Sequence, residues 1–253
     1  MARYARRPPS GVSHRRGPWK HGSIPVLGLI GGIGAGKSLV AAALAERGAL
    51  VLDADSIGHT LLDQRPAREQ VLKRFGKSIL EAPAAPNSPP RIDRGALGVL
   101  VFAQPQALRN LEAILHPRMR RTFERAIARA VRKGQANAVV LDAAVLLEAG
   151  WNDLCDTVVF VDAPREQRLA RLSAQRGWSD DALAARERMQ WPLDEKRRQA
   201  GHVLANTGDV ESLRAAVDRL WKEVITPNRS LRAATARTDG ARRQVHVPRG
   251  GPP

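Results

Sequence analysis

Short apolar runs recur along the chain at 26–30, 50–52, 138–141, 157–161 and 202–205. Each has strand length and ends in a turn or cap residue: Gly31, Asp53, Asp142, Asp162 and Asn206. Between them the apolar spacing becomes helical, which predicts helices over 39–45, 96–102 and 211–224. A further helix is expected from 57 to about 75, bent near Pro66. Two more are expected at 105–115 and 117–133, broken at His116-Pro117 because proline suits a first turn. An arginine-rich helical stretch is expected over 165–200, and a proline-rich surface loop over 81–90. Strands alternating with helices predict an α/β fold, with a five-stranded parallel sheet covered on both faces. No internal repeat is visible.

Residues 31–38 read Gly-Gly-Ile-Gly-Ala-Gly-Lys-Ser, directly after the first apolar run and before the first helical one. Strand, glycine loop and helix is the context of a phosphate-binding loop. Glycines let successive backbone N–H groups turn toward phosphate oxygens, and the helix adds its N-terminal donors. Lys37 is placed to reach terminal phosphates and Ser38 to ligate Mg²⁺. A dinucleotide fingerprint fails on spacing, because Leu39 or Lys37 stands where its third glycine belongs. The fold is therefore expected to be a P-loop, three-layer one.

Acids close the second and third apolar runs: Asp53 and Asp55 after one, Asp142 after the other. That rim is where parallel sheets do chemistry. In a kinase one acid accepts a hydroxyl proton and another supports the Mg²⁺ shell. A helix N-cap at Asp55, ahead of the pattern from Ile57, is compatible with the same residues. Arginines at 165, 168, 171, 176, 186 and 188 fit either a solvated basic helix or a lid over ATP. His116 fits a packing role as well as a site role. A GTPase is disfavoured, since Asn206-Thr207-Gly208-Asp209 lacks the lysine of the guanine signature.

Composition refines this picture. A 253-residue chain with 43% hydrophobic content carries one good core, and no stretch approaches a membrane span. Cys155 is the single cysteine and is expected to be a small buried hydrophobe. The net charge of +16 suggests nucleic acid at first. Much of it, however, sits at the ends, in six cations before residue 24 and six arginines after 225. Residues 1–23 and 226–253 read as disordered basic extensions around a 24–225 kinase domain. With aromatics in the extensions limited to Tyr4 and Trp19, no specific nucleic acid partner is expected.

Residues 31–38, Asp-Ala-Asp at 53–55, Leu-His-Pro at 115–117, 142–151 and the Arg186/Gln190/Pro192/Leu193/Lys196 segment together resemble the dephospho-CoA kinase family. The likeness runs over about 24–222. The 142–151 stretch is also similar to the kinase half of animal bifunctional CoA synthase, and nothing resembles its adenylyltransferase half. The resemblance implies ATP-dependent phosphorylation of the ribose 3′-hydroxyl of dephospho-CoA, the last step of coenzyme A synthesis. It implies ATP and Mg²⁺ as cofactors, a cytoplasmic enzyme, and a monomer with at most weak association.

By position, Asp55 is the expected base, with Lys37 and Arg171 as catalytic partners. Gly31, Gly32, Ile33, Gly34, Ala35, Gly36, Lys37, Ser38 and Leu39 are expected to contact nucleotide, with Arg176, Asn206 and Gly208 beside them and Asn206 and Gly208 near adenine. Ser38 is the implied metal ligand. Asp53, Asp55, His116, Asp142 and Glu148 are expected to face the acceptor; residues 57–130 resemble the family's helical CoA-binding region, with His116 at its edge, and a lid is expected at 165–200. Two departures from the family pattern occur: Leu39 replaces the usual threonine, and Ala144-Val145 replaces a proline-containing turn before Glu148. The competing reading is a P-loop kinase of another small metabolite, such as a nucleoside monophosphate or a sugar acid.

Overall fold

The computed structural model describes residues 19–81 and 90–225. The expectations for 1–18, most of the proline-rich loop (82–89) and 226–253 lie outside the described residues. Strands β1 (Val26–Gly31), β2 (Ala49–Asp53), β3 (Ala138–Asp142), β4 (Thr157–Asp162) and β5 (His202–Ala205) form one sheet in the order β2-β3-β1-β4-β5. Every pairing is parallel, so the expected topology holds. The first strand in sequence lies at the centre, and its C-terminal end carries the glycine loop.

Alternation along the strands feeds two cores. On one face Val26, Ile30, Val139, Leu141 and Phe160 pack under Met119, Phe123 and Ile127 of the long helix α5 described below. On the other, Leu27, Leu29, Val140, Val159 and Val161 meet α1 (Lys37–Glu46) and the last helix of the chain. A strand buried on both sides reads as a continuous apolar run, which is why the central strands were visible in the sequence.

After β2 come α2 (Ala54–Asp63), α3 (Arg65–Phe75), α4 (Arg94–Ala103) and α5 (Pro105–Lys133). The expected bend near Pro66 is a full break. Gln64 is extended, and α3 restarts with Pro66 in its first turn, where the missing N–H costs nothing. The expected break at His116-Pro117 is absent, and α5 runs through it for 29 residues. Pro117 and Ala113, whose carbonyl loses its donor, are both exposed, so water can serve that carbonyl. Leu115, Met119, Phe123 and Ile127 keep one buried face across the proline.

The expected helical stretch 165–200 is three helices: α6 (Arg165–Arg176), α7 (Asp180–Glu187) and α8 (Leu193–Arg198). The chain ends its described part with α9 (Val210–Val224). The boundary placed at residue 23 falls inside an ordered segment. Asp156 accepts hydrogen bonds from the Lys20 and Val26 amides at 2.7 Å each, and His21 Nε2 lies 2.8 Å from the Leu154 carbonyl. These bonds fasten residues 19–26 to the N-terminal edge of the sheet. Among the described residues, no helix is long and apolar enough to cross a membrane.

Candidate active site

The loop from Gly31 to Ser38 turns off the end of β1 into α1. Gly36 is the N-cap residue, in the left-handed region with φ 89°, and among the described residues no side chain caps this helix. Asp53, Asp93, Ser179 and Asp209 do cap α2, α4, α7 and α9. Leu39 N turns back to Gly36 O at 3.1 Å, and the Lys37 and Ser38 amides at the start of α1 are left for an external acceptor.

Three successive loop carbonyls are held from outside. Arg168 Nη1 donates to Ile33 O at 3.1 Å, Arg171 Nη1 to Gly34 O at 3.5 Å, and Asn206 Nδ2 to Ala35 O at 2.8 Å. Arg171 Nη2 also donates to Asn206 O at 3.0 Å. With its carbonyls turned toward α6 and the end of β5, the loop keeps acceptor atoms away from a bound anion. Arg168 is buried, and it also donates to Ala163 O and pairs with Glu187 at 2.6 Å.

The acids gather opposite Lys37. Asp53 and Asp142 are register partners across β2 and β3, and Asp142 is paired with Leu29 of β1. The helix cap is Asp53 rather than Asp55: its carboxylate accepts from Ser56 N and Oγ, both at 3.1 Å. Backbone geometry decides this, because helical angles begin at Ala54. Asp55, exposed in the first turn of α2, keeps its carboxylate available.

Burial lowers the pKa of Lys37; the charges of Asp142 and Asp55 pull it back up, while Lys196 and Arg176 push it down. Asp142 is pushed up to about 6, first by burial, with Asp53 and Asp55 adding to the rise and Lys37 opposing it. Lys37, Asp53, Asp55 and Asp142 therefore share one electrostatic site at the strand ends. Ser38 is exposed beside it. Among the described residues no cluster of three or more His, Cys, Asp or Glu forms a metal cage. The exposed Ser38 hydroxyl beside these carboxylates is a donor set of the kind Mg²⁺ takes, one or two protein oxygens with water and phosphate for the rest.

The remaining expected residues are spread around this centre. Arg176 is exposed at the end of α6, with its guanidinium carbon 5.5 Å from the Trp178 ring centroid. Gly208 is exposed in the turn before α9, and Leu39 is 53% exposed on α1. His116 packs edge-on against Trp151 at 4.9 Å, and burial lowers its pKa. Glu148 forms an ion pair with Lys196 at 2.8 Å, while its Oε2 is buried with no hydrogen-bond partner among the described residues. Sequence reasoning gave no role to Arg168 as the brace of the loop, nor to buried Lys196. Their helices are charged enough to read as solvated. A cavity of about 500 Å³ lies between α4 and α7, with Val99, Phe102, Arg94 and Arg186 on its walls.

The family model described as dephospho-CoA kinase matches residues 25–212. A dephospho-CoA kinase of Geobacter metallireducens is 41% identical over 208 residues, covering 80% of this chain and 98% of that protein. One from Symbiobacterium thermophilum is 40% identical, covering 78% and 80%. A crystal structure from Thermus thermophilus superposes with TM-score 0.66 at 35% identity, over 79% of this chain and 98% of that one.

Proposed function

The chain belongs to the dephospho-CoA kinase family, and on that premise we propose that it transfers the γ-phosphoryl group of ATP to the ribose 3′-hydroxyl of dephospho-CoA, giving coenzyme A and ADP. The observation that carries this reading is the placing of Asp55, Asp142 and Lys37 together at the mouth of an uncapped glycine loop.

Loop amides and Lys37 hold the β- and γ-phosphates. The Ser38 hydroxyl would hold Mg²⁺, which when bound would supply charge neutralisation on those phosphates. Asp55 accepts the 3′-hydroxyl proton as that oxygen bonds to the γ-phosphorus and ADP departs. Asp53 and Asp142 fix the wall of strand ends against which Asp55 and Lys37 are set. Arg171, anchored to Gly34 and Asn206, and Arg176, whose charge reaches Lys37, stabilise the transferring group. Asn206 and Gly208 border the adenine, and Leu39 flanks the nucleotide. His116 lies at the edge of the acceptor region and Glu148 beneath it. The apolar walls and two arginines of the α4–α7 cavity suit the pantetheine and diphosphate arm of the acceptor. The form proposed for this activity is a cytoplasmic monomer.

A coupled ADP-release assay with ATP, Mg²⁺ and dephospho-CoA tests the reading. Stoichiometric ADP, with a product heavier by one phosphoryl group, is expected. A panel in which dephospho-CoA is inert while a nucleoside monophosphate or sugar acid turns over would sink it.

A further inference from the structure

Lys196 lies on α8, and its side chain is 0% exposed. Lysine is almost never fully buried without partners, and this ammonium has as many acceptors as it has protons. Its Nζ lies 2.7 Å from Ala144 O, 2.8 Å from Glu148 Oε1 and 3.1 Å from Gln190 Oε1. Glu148 Oε1 also accepts from the Trp191 amide at 2.9 Å.

These contacts come from two places. Ala144 and Glu148 belong to the segment that leaves β3 directly after Asp142, and Gln190 and Trp191 to the connection between α7 and α8. One buried cation thus joins the strand end carrying Asp142 to the arm that carries Glu187. Glu187 in turn pairs with Arg168, which braces the glycine loop through Ile33. Stability alone does not call for this arrangement, since apolar groups of like volume in place of a buried ion pair are often as stable or more so.

We infer that Lys196 is a positioning residue for phosphoryl transfer: it fixes the Ala144–Glu148 segment, and so Asp142, relative to the glycine loop and the α7–α8 arm. The inference rests on the kinase reading above. It assigns Lys196 no contact with substrate. It places the geometric cost of losing Lys196 in the transition state, because the loop and its amides remain to bind ATP.

The test compares wild type, Lys196→Met and the double variant Lys196→Met/Glu148→Gln. Each is measured for thermal stability, ATP affinity, kcat, KM for both substrates and acceptor-free ATP hydrolysis. The single variant strands the Glu148 charge and should lose stability. In the double variant that charge is gone, so the melting temperature should return toward wild type. Its kcat should stay down by about 10-fold or more, the range a misplaced catalytic geometry produces, with ATP affinity within about 3-fold of wild type. Low kcat with unchanged acceptor KM separates positioning from a lost Glu148 contact to the acceptor.

Recovery of kcat together with stability in the double variant would overturn the inference, as would full kcat in a folded Lys196→Met. If the single variant does not fold, the double variant alone decides. Acceptor-free hydrolysis should fall in parallel with kcat. Because it needs no acceptor, it reads the network even if dephospho-CoA proves inert, an outcome that would count against the kinase assignment alone.

Discussion

Asn206 and Ala35, 171 residues apart, are joined by a buried 2.8 Å hydrogen bond from the Asn206 amide to the Ala35 carbonyl. The bond spans from the end of edge strand β5 to the middle of the glycine loop. The closeness that permits it also explains why residue 36 must be glycine: a Cβ there would lie 2.2 Å from Asn206 Nδ2.

Gly36→Ala should therefore weaken ATP binding by at least about tenfold, by displacing Asn206 and straining a backbone with φ near +89°. Isothermal titration with ATP, alongside circular dichroism to show a retained fold, checks this. Unchanged affinity would mean that the loop does not depend on the Asn206 bond.

Asp55→Asn keeps the size of the side chain and removes the proposed base. Turnover should fall about 10²–10⁴-fold, as loss of a general base does, while ATP affinity stays within a few-fold. Rapid-quench kinetics with saturating ATP reads the chemical step, and full activity would shift the base role to a neighbour such as Asp142.

Asp142 gives a pH-dependent contribution whose sign is fixed. Its folded pKa of about 6 lies above the ordinary value of 3.8. Between those values the folded chain keeps a proton that the unfolded chain has lost. The contribution is thus fully present below pH 3.8 and is lost as pH rises through about 6. Asp142→Asn imitates the protonated form and should raise stability at pH 7 by about 1–3 kcal/mol, one unit being worth about 1.4 kcal/mol, with little change near pH 4. Paired melting curves across pH 4–8 test this, and a pH-independent difference would contradict it.

Arg168→Met removes a cation whose side chain is 4% exposed and leaves Glu187, among the described residues, with Arg165 as its one remaining ion-pair partner. Stability should fall by about 3 kcal/mol, in line with losing one partner of a buried pair. KM for ATP should rise as well, because Ile33 loses its brace. Urea unfolding and steady-state kinetics measure the two effects. A drop in stability with unchanged KM would mean that the Ile33 bond does not matter for nucleotide binding.

Much of this was legible in the chain itself. Central strands declare themselves as apolar runs because both faces are buried, and 31–38 is legible because few loops need glycine at so many positions. Asp53 and Asp142 were found because strand ends are easily placed. Pro117 misled because a local rule for proline yields to 29 residues of helix with one buried face. The cap at Asp53 and the proposed base at Asp55 lie two residues apart, closer than pattern reading resolves. Lys196 was seen only as part of a motif. An ammonium buried by contacts from 144, 148 and 190 leaves no local mark that separates it from the solvated lysines of other polar helices.

Cys155 lies beneath β1, close enough that a Cβ on Gly28 would meet its sulfur at 3.0 Å. Burial raises its pKa to about 12, so almost none of it is ionised at neutral pH. The proposed acceptor ends in a free sulfhydryl, and so does the product. A reactive, exposed cysteine would exchange with that sulfhydryl under oxidising conditions and couple the enzyme covalently to its own substrate. With its one cysteine walled in and protonated, this chain can handle a sulfhydryl compound without entering mixed-disulfide chemistry with it.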